Sequence, residues 1–217
     1  MSSIARAVGG MMVLGCAFVP AVAAAQKAGD MTVGVMGGAN YAKVSQDPQD
    51  AGLTLDYKWG FVAGGFLGIA VNDVFSVEPQ ALFSVKGAKF SGGGESGSVK
   101  ASYIEVPVLG KFWIPVSDSQ VRPFIFAGPY AAFKVSCTAE SGSTSVDCDQ
   151  NPELKLKSTD FGATGGAGLE FKAGKQVVRV DARYDLGLTN ISDKSGSQTI
   201  KTRSITGTVG VGFPLPR

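Results

Sequence analysis

Charged and apolar residues alternate with a period of two along one stretch of the chain. Arg179, Asp181, Arg183 and Asp185 carry the charges, and the positions between them are almost all apolar. This spacing is typical of an extended strand whose two faces lie in different environments. One face therefore requires water or ion pairing, and the other requires an apolar environment.

The same division predicts eight strands. Their expected bounds are 31–41, 59–71, 74–86, 101–113, 122–134, 159–171, 177–188 and 202–213. The segment 122–134 is apolar on both faces, so its register stays unassigned. Glycine is abundant, at 30 of 217 residues, and helical periodicity is absent. These features favour an all-β chain.

The connections between these strands alternate in length. The short and medium ones are 72–73, 114–121 and 173–175, whereas the long ones are 42–58, 87–100, 135–158 and 189–201. Long loops at one end only are typical of a membrane barrel, and strands of about eleven residues match the length that crosses a bilayer. We therefore predict an eight-stranded antiparallel up-and-down transmembrane β-barrel in the outer membrane. A soluble barrel with its apolar face inward is the alternative.

Nine charged side chains lie on the predicted polar faces and are expected in the barrel interior. They are Glu78, Lys86, Glu105, Lys111, Glu170, Arg179, Asp181, Arg183 and Asp185. Because a buried charge is stable only when it is paired, we expect these residues to form an interior ion-pair network. Aromatic residues near the strand ends, Tyr103 and Trp113 among them, are expected to form interfacial girdles.

The first 25 residues have the features of a secretory signal. One basic residue, Arg6, precedes an apolar run that ends in Ala23-Ala24-Ala25, so we expect cleavage after residue 25 and a barrel domain over 26–217. A lipoprotein signal with lipidation at Cys16 is the alternative. Both interpretations predict export.

Cys137 and Cys148 both lie in the long connection 135–158. Exported proteins fold in an oxidising compartment, where paired cysteines form disulfides. We therefore predict a Cys137–Cys148 disulfide that stiffens one external loop.

The composition and motifs argue against catalysis and against most kinds of ligand site. The chain contains no histidine, which removes Ser-His-Asp catalysis and the commonest metal ligand. A glycine-lysine segment at 168–175 has the wrong spacing for a phosphate loop, and an acidic run at 147–151 is followed by Pro152 where a calcium loop needs glycine. We predict no catalytic residue, no cofactor and no metal. A net charge of +2 without a basic stripe argues against nucleic acid.

Several blocks of the chain resemble a known family. The blocks are GFVAGG at 60–65, VEPQ at 77–80, YIEVPVLGK at 103–111, PFIFAGP at 123–129 and RYDLGL at 183–188. They are similar to the outer-membrane β-barrel "porin family", the group that includes PorT-type proteins. The resemblance implies an eight-stranded barrel in a Gram-negative outer membrane and accounts for prolines inside strands.

The expected function follows from this fold. Eight strands enclose a lumen that side chains fill, so we predict a structural or surface-interaction role through the long external loops, without catalysis. The expected partners are the lipid bilayer and an extracellular molecule, and the barrel is expected to be a monomer. The alternatives are an adhesin or receptor-like binding protein, a small ion-conducting channel and a soluble ligand-binding barrel.

Overall fold

The computed structural model describes residues 27–47, 54–92, 95–116, 120–141, 144–150, 157–191 and 199–216. The predicted signal segment 1–25, with Cys16 inside it, lies outside these ranges. No helix in the described part of the chain is long and apolar enough to cross a membrane.

Nine strands are present in these ranges. They are β1 (Met31–Asp47), β2 (Thr54–Ala70), β3 (Phe75–Gly92), β4 (Glu95–Trp113), β5 (Val121–Ser141), β6 (Thr144–Asp147), β7 (Thr159–Ala173), β8 (Gln176–Gly187) and β9 (Thr199–Pro214). A short 3-10 turn, Cys148–Gln150, follows β6. The tight turn between β7 and β8 uses Gly174 at a φ of 64°, a conformation that glycine adopts without strain.

Eight of the described strands close into a barrel. Every neighbouring pair is antiparallel, β9 pairs with β1, and β4 pairs with β5. The small strand β6 lies outside this ring and pairs only with the last residues of β5. The predicted fold class is therefore confirmed. Closure leaves no unpaired strand edge, which is the condition for spanning a bilayer with strands.

The strands are longer than predicted. They were expected to have about eleven residues, but those of the barrel have between 12 and 21 residues. Most of the predicted loop 87–100 is a β-hairpin that stays paired up to Gly92 and Glu95. Above the membrane the outer face of a strand meets water in place of lipid, so strand continues there without the apolar outward positions that reveal it in sequence.

The extra length projects from the membrane on one side. The 17 residues of β1 span roughly 40 Å along the barrel axis at a tilt of about 40°. The apolar band of such a barrel is about 25 Å tall. The short turns 71–74 and 174–175 mark the periplasmic end, so the barrel wall extends roughly 15 Å beyond the lipid on the external side.

The outer wall of the barrel is apolar and its interior is polar. Val35, Phe61 and Val209 on the outer wall are 64%, 51% and 55% exposed, whereas Asn40 and Thr208, which point inward, are 0% and 2% exposed. A soluble barrel has the opposite arrangement, with its apolar side chains in the core. The soluble alternative is therefore wrong.

The structure assigns the register of the segment that is apolar on both faces. In β5, Phe124, Phe126 and Tyr130 point into the barrel and are buried. Phe124 and Phe126 pack where β7 carries glycines: a Cβ atom added at Gly168 would lie 2.5 Å from Phe124 Cζ, and one at Gly166 would lie 2.7 Å from Phe126 Cζ. Part of the lumen is therefore filled by aromatic rings, so β5 shows no polar face.

Two aromatic residues that were expected at the membrane interfaces point inward instead. Tyr103 and Trp113 are 3% and 6% exposed, and they share the inward face of β4 with Glu105 and Lys111. Because side chains alternate strictly along a strand, the position of Glu105 in the lumen requires Tyr103 to be there too. The expectation for these two aromatics was wrong.

Prolines within the strands coincide with gaps in the strand pairing. The pairing of β2 with β3 lapses between Phe66 and Ile69, opposite Pro79. The pairing of β4 with β5 lapses after Pro107, beside Pro129. Proline has no N–H to donate to a neighbouring strand, so the barrel tolerates these residues by leaving short stretches of wall unpaired.

Candidate functional site

The lumen contains all nine charged residues that the alternation pattern placed there. Each is no more than 7% exposed. They come from four strands, β3, β4, β7 and β8, and separate into two layers along the barrel axis. The lower layer is centred on Arg179, and the upper layer is centred on Lys86.

Arg179 is the centre of the lower layer. Its Nη1 donates to Glu78 Oε1 at 2.6 Å, and its Nη2 donates to Asp181 Oδ2 at 3.1 Å. Asp181 also accepts a hydrogen bond from Arg183 Nη2 at 3.3 Å. Charge-assisted pairs of this kind are the strong class of hydrogen bond. Each carboxylate in this chain of contacts therefore faces at least one guanidinium.

Lys111 extends the lower layer toward the periplasmic end. Its Nζ lies 3.5 Å from Glu78 Oε2 and 3.4 Å from Glu170 Oε2. The same ammonium lies 4.1 Å from the ring centre of Trp113 and 4.0 Å from that of Phe124. Carboxylates and aromatic faces thus surround this buried cation on several sides, which compensates for its lost hydration.

The lower layer crosses the whole barrel. In the ring of eight strands, β3 and β8 are separated by three strands in either direction, so Glu78 and Arg179 project from opposite walls. A second contact between the same walls joins Arg183 Nη1 to Gln80 Oε1 at 2.9 Å. A cavity of about 10 Å³ remains on the periplasmic side of this layer, the lower limit for one water molecule.

The upper layer is built around Lys86. Its Nζ lies 2.7 Å from Glu105 and 3.8 Å from Asp185. Asp185 also accepts a hydrogen bond at 2.7 Å from the Ser204 hydroxyl. Lys86 and Asp185 again belong to β3 and β8, so this layer also links opposite walls.

Gln80 and Asp160 are interior polar residues that were not among the nine. Gln80 donates to Glu78 at 2.7 Å, and Asp160 accepts hydrogen bonds from Thr189 at 2.6 Å and Thr202 at 2.7 Å. Both occupy polar positions of alternating strands. The period-two pattern therefore contained the signal, although only the tertiary structure shows their partners.

Cys137 and Cys148 form a disulfide, with Cα atoms 5.4 Å apart. Both residues are buried, at 2% and 0% exposure, in a cluster with Tyr103 and Tyr130. The bond therefore fastens the turn after β6 onto the inward face of β5 at the external mouth. The predicted disulfide is therefore confirmed, and it lies beneath the surface of the rim.

A polar cleft of about 410 Å³ lies at the external rim, where the ends of β2 to β5 meet. Lys58 supports one side of it, because its Nζ lies 2.7 Å from Ser98 Oγ and 4.0 Å from Glu140 Oε2. The cleft lies above the lipid-facing band and is open to the exterior. Its lining is Asp56, Lys89, Phe90, Ser91, Ser96, Gly97, Ser98 and Glu140.

The apolar outer wall, the closed ring and the buried charges together define a β-barrel protein of the bacterial outer membrane. The chain belongs to the outer membrane protein beta-barrel domain family, whose model matches residues 24–193. No curated protein matches the chain significantly. The protein is therefore located in the cell outer membrane.

Solved structures of outer-membrane proteins have the same fold. The chain is similar to OprG from Pseudomonas aeruginosa, with a TM-score of 0.56 and 14% identity over 88% of this chain and 98% of that one. It is also similar to Neisserial surface protein A, with a TM-score of 0.50 and 12% identity over 84% of this chain and 97% of that one. At these identities the likeness concerns the fold alone.

Proposed function

We propose that this protein is a closed, non-conducting barrel that acts as a rigid membrane platform for its external rim, and that the rim contacts a partner outside the cell. The observation that carries the proposal is the contact between Arg179 and Glu78, which joins opposite walls of the barrel at 2.6 Å. A side-chain contact across the full diameter leaves no continuous water column at that level.

The upper layer supports the same conclusion independently. Lys86 and Asp185 approach from opposite walls within 3.8 Å, and Glu105 holds the same ammonium. An open pore would require both layers to rearrange, and each rearrangement would leave buried charges without partners. A small ion-conducting channel is therefore the less favoured function.

The external rim supports the surface-interaction part of the proposal. The wall rises above the lipid, and the disulfide fastens the segment after β6 to it. The cleft combines serine hydroxyls, carboxylates, Lys89 and the half-buried ring of Phe90. These hydroxyl, carboxylate and ammonium groups can hydrogen-bond a hydrophilic partner, and the ring adds one apolar surface. For an adhesin or receptor-like protein, we infer that this cleft would be the contact surface.

The narrower resemblance to PorT-type proteins and the expected absence of catalysis stay predictions. The charged residues of the lumen support a structural role for that region, because each of the nine contacts an oppositely charged residue in the described part of the chain.

Conductance in a planar bilayer tests closure of the barrel. We expect no stable current steps from the wild-type protein. The variant Glu78→Ala/Lys86→Ala/Arg179→Ala/Asp185→Ala removes the contacts between opposite walls in both layers and is expected to conduct small ions, whereas Lys175→Ala at the periplasmic turn is expected to stay silent. Large, stable steps from the wild-type protein would contradict the proposal.

Binding by intact cells tests the role of the rim. Cells that carry the protein are applied to arrays of glycans and extracellular matrix proteins, beside cells without it. We expect specific binding that Ser96→Trp abolishes by filling the cleft, whereas Lys157→Trp elsewhere on the exposed rim preserves it. Binding equal to that of cells without the protein would contradict the surface role. Closure of the barrel would be unaffected by that result, because conductance tests it separately.

A further inference from the structure

Two basic residues lie directly opposite each other on the outer wall of the barrel. The antiparallel register of β1 and β9 pairs Lys43 with Arg203. Lys43 follows Tyr41 by two residues, and Arg203 precedes Ile205 by two, so all four share the outward face. Ile205 is 51% exposed on that face. Two like charges on one rung of a sheet destabilise it.

The described part of the chain does not compensate these two charges with a carboxylate. Lys43 Nζ lies 4.8 Å from the ring centre of Tyr57, and the neighbour of Arg203 in β8 is Leu186. Arg203 Nε is buried without a hydrogen-bond partner in the described ranges. Lys201, opposite Ser45 on the next outward rung, adds a third positive charge. Among the described side chains, this side of the outer wall is therefore positive and lacks an anion to balance it.

The position of the pair along the barrel axis indicates the source of that anion. The outward positions of β1 from Met31 to Tyr41 are apolar or small, apart from the tyrosine hydroxyl. These eleven residues span roughly 25 Å along the axis of a tilted barrel, the height of the apolar band. Tyr41 stacks on Tyr57 at 4.5 Å and contacts Trp59 at 4.8 Å, as in an interfacial aromatic girdle. Lys43 is the next outward residue.

We propose that Lys43 and Arg203 form a binding site for the phosphate group of a lipid headgroup in the outer leaflet. A guanidinium presents two parallel N–H donors to phosphate oxygens, and the adjacent ammonium adds a point charge. The aromatic girdle directly below provides an apolar surface for the beginning of the acyl chains. The bound phosphate neutralises a pair of charges that would otherwise repel each other across the rung.

Lipid retention by the purified full-length protein tests this site. The protein is placed in phosphatidylcholine nanodiscs that contain either bisphosphorylated lipid A or the same lipid without its phosphates. The lipid that stays bound after transfer into detergent is quantified by mass spectrometry. We expect the wild-type protein to retain roughly 30-fold more of the phosphorylated lipid, the size expected for two basic groups beside an anionic headgroup. Equal retention by the wild-type protein would overturn the proposal.

Two double variants and a competitor test whether the preference for the phosphorylated lipid arises at Lys43 and Arg203. Lys43→Gln/Arg203→Gln is expected to reduce the preference to less than about twofold. Lys27→Gln/Lys175→Gln removes the same charge at exposed positions at the opposite end of the barrel and is expected to keep the full preference. An equal loss in both double variants would show a non-specific effect of net charge and overturn the site. Millimolar inorganic phosphate is expected to change nothing, and competition by it would overturn the assignment to a lipid.

Discussion

Arg179 and Glu78 touch across the full width of the barrel. The two residues are 101 positions apart in sequence and project from strands on opposite walls, yet their side chains meet at 2.6 Å. Each is nearly inaccessible, at 1% and 2% exposure. A contact of this kind couples the two halves of the ring, so we expect it to contribute to stability as well as to block the lumen.

Arg179→Ala is expected to destabilise the barrel by roughly 3–5 kcal/mol, because it leaves Glu78 and Asp181 buried with fewer cationic partners. The double variant Glu78→Met/Arg179→Met removes both charges and fills the volume, so it is expected to cost less than the single change. Urea unfolding in lipid vesicles, followed by tryptophan fluorescence, measures both free energies of unfolding. A single variant as stable as the wild type would show that the two side chains do not meet in the bilayer.

Val180→Arg is expected to cost roughly 2–4 kcal/mol, because Val180 faces outward near the middle of β8 and the substitution places a cation in lipid. Val180 is 46% exposed, and its neighbours on the adjacent strands are Leu169 and Val209. Val180→Leu serves as the control and is expected to be neutral. A spin label at position 180 that fails to contact lipid-soluble quenchers would contradict the outward orientation.

Gly168→Ala is expected to destabilise the barrel by about 1–3 kcal/mol through overpacking. Its new Cβ would lie 2.5 Å from the Phe124 ring and 2.6 Å from the carbonyl oxygen of Val180. Gly207→Ala is the matched control, because a Cβ there meets nothing within 4 Å. Thermal unfolding of both variants is followed on detergent gels, where the folded and unfolded forms migrate as separate bands. Equal effects would mean that the Phe124 ring does not occupy the space above Gly168.

Cys137 and Cys148 are expected to resist thiol reagents in the native unreduced protein. Replacing both by alanine releases the segment after β6, and the chain-entropy model for a loop of this length gives a loss of roughly 3 kcal/mol. We expect faster proteolysis within 144–150, with the eight-stranded ring intact on detergent gels. Full labelling of both thiols without reductant would contradict the disulfide.

The wall of the barrel was predictable from local pattern. The alternation around Asp181 identifies a strand, and its charged face is the lumen in the structure. Position 180 is apolar because it faces lipid, and position 181 is charged because it faces the polar interior. The same alternation between the two faces continues along the strand. Where the contrast is lost, as in β5 with its inward Phe124 and Tyr130, the register was not predictable.

The lengths of the strands were not predictable beyond the membrane. Lys89 and Ser98 continue a hairpin that the sequence pattern assigns to a loop, because pairing there depends on the neighbouring strand and not on a contrast between faces. Tyr103 shows a similar limit. An aromatic residue near a strand end is typical of an interface, but its direction depends on the register of the whole strand.

By itself, the sequence determined that this chain forms a two-faced wall of antiparallel strands, because side-chain alternation is a local consequence of extended backbone. It also placed Glu78 and Arg179 on the polar face. Only the tertiary structure decided that these two meet and that Lys43 lies beside Arg203. Both pairs depend on which strands become neighbours or face each other when the ring closes, and ring closure is a property of the whole chain.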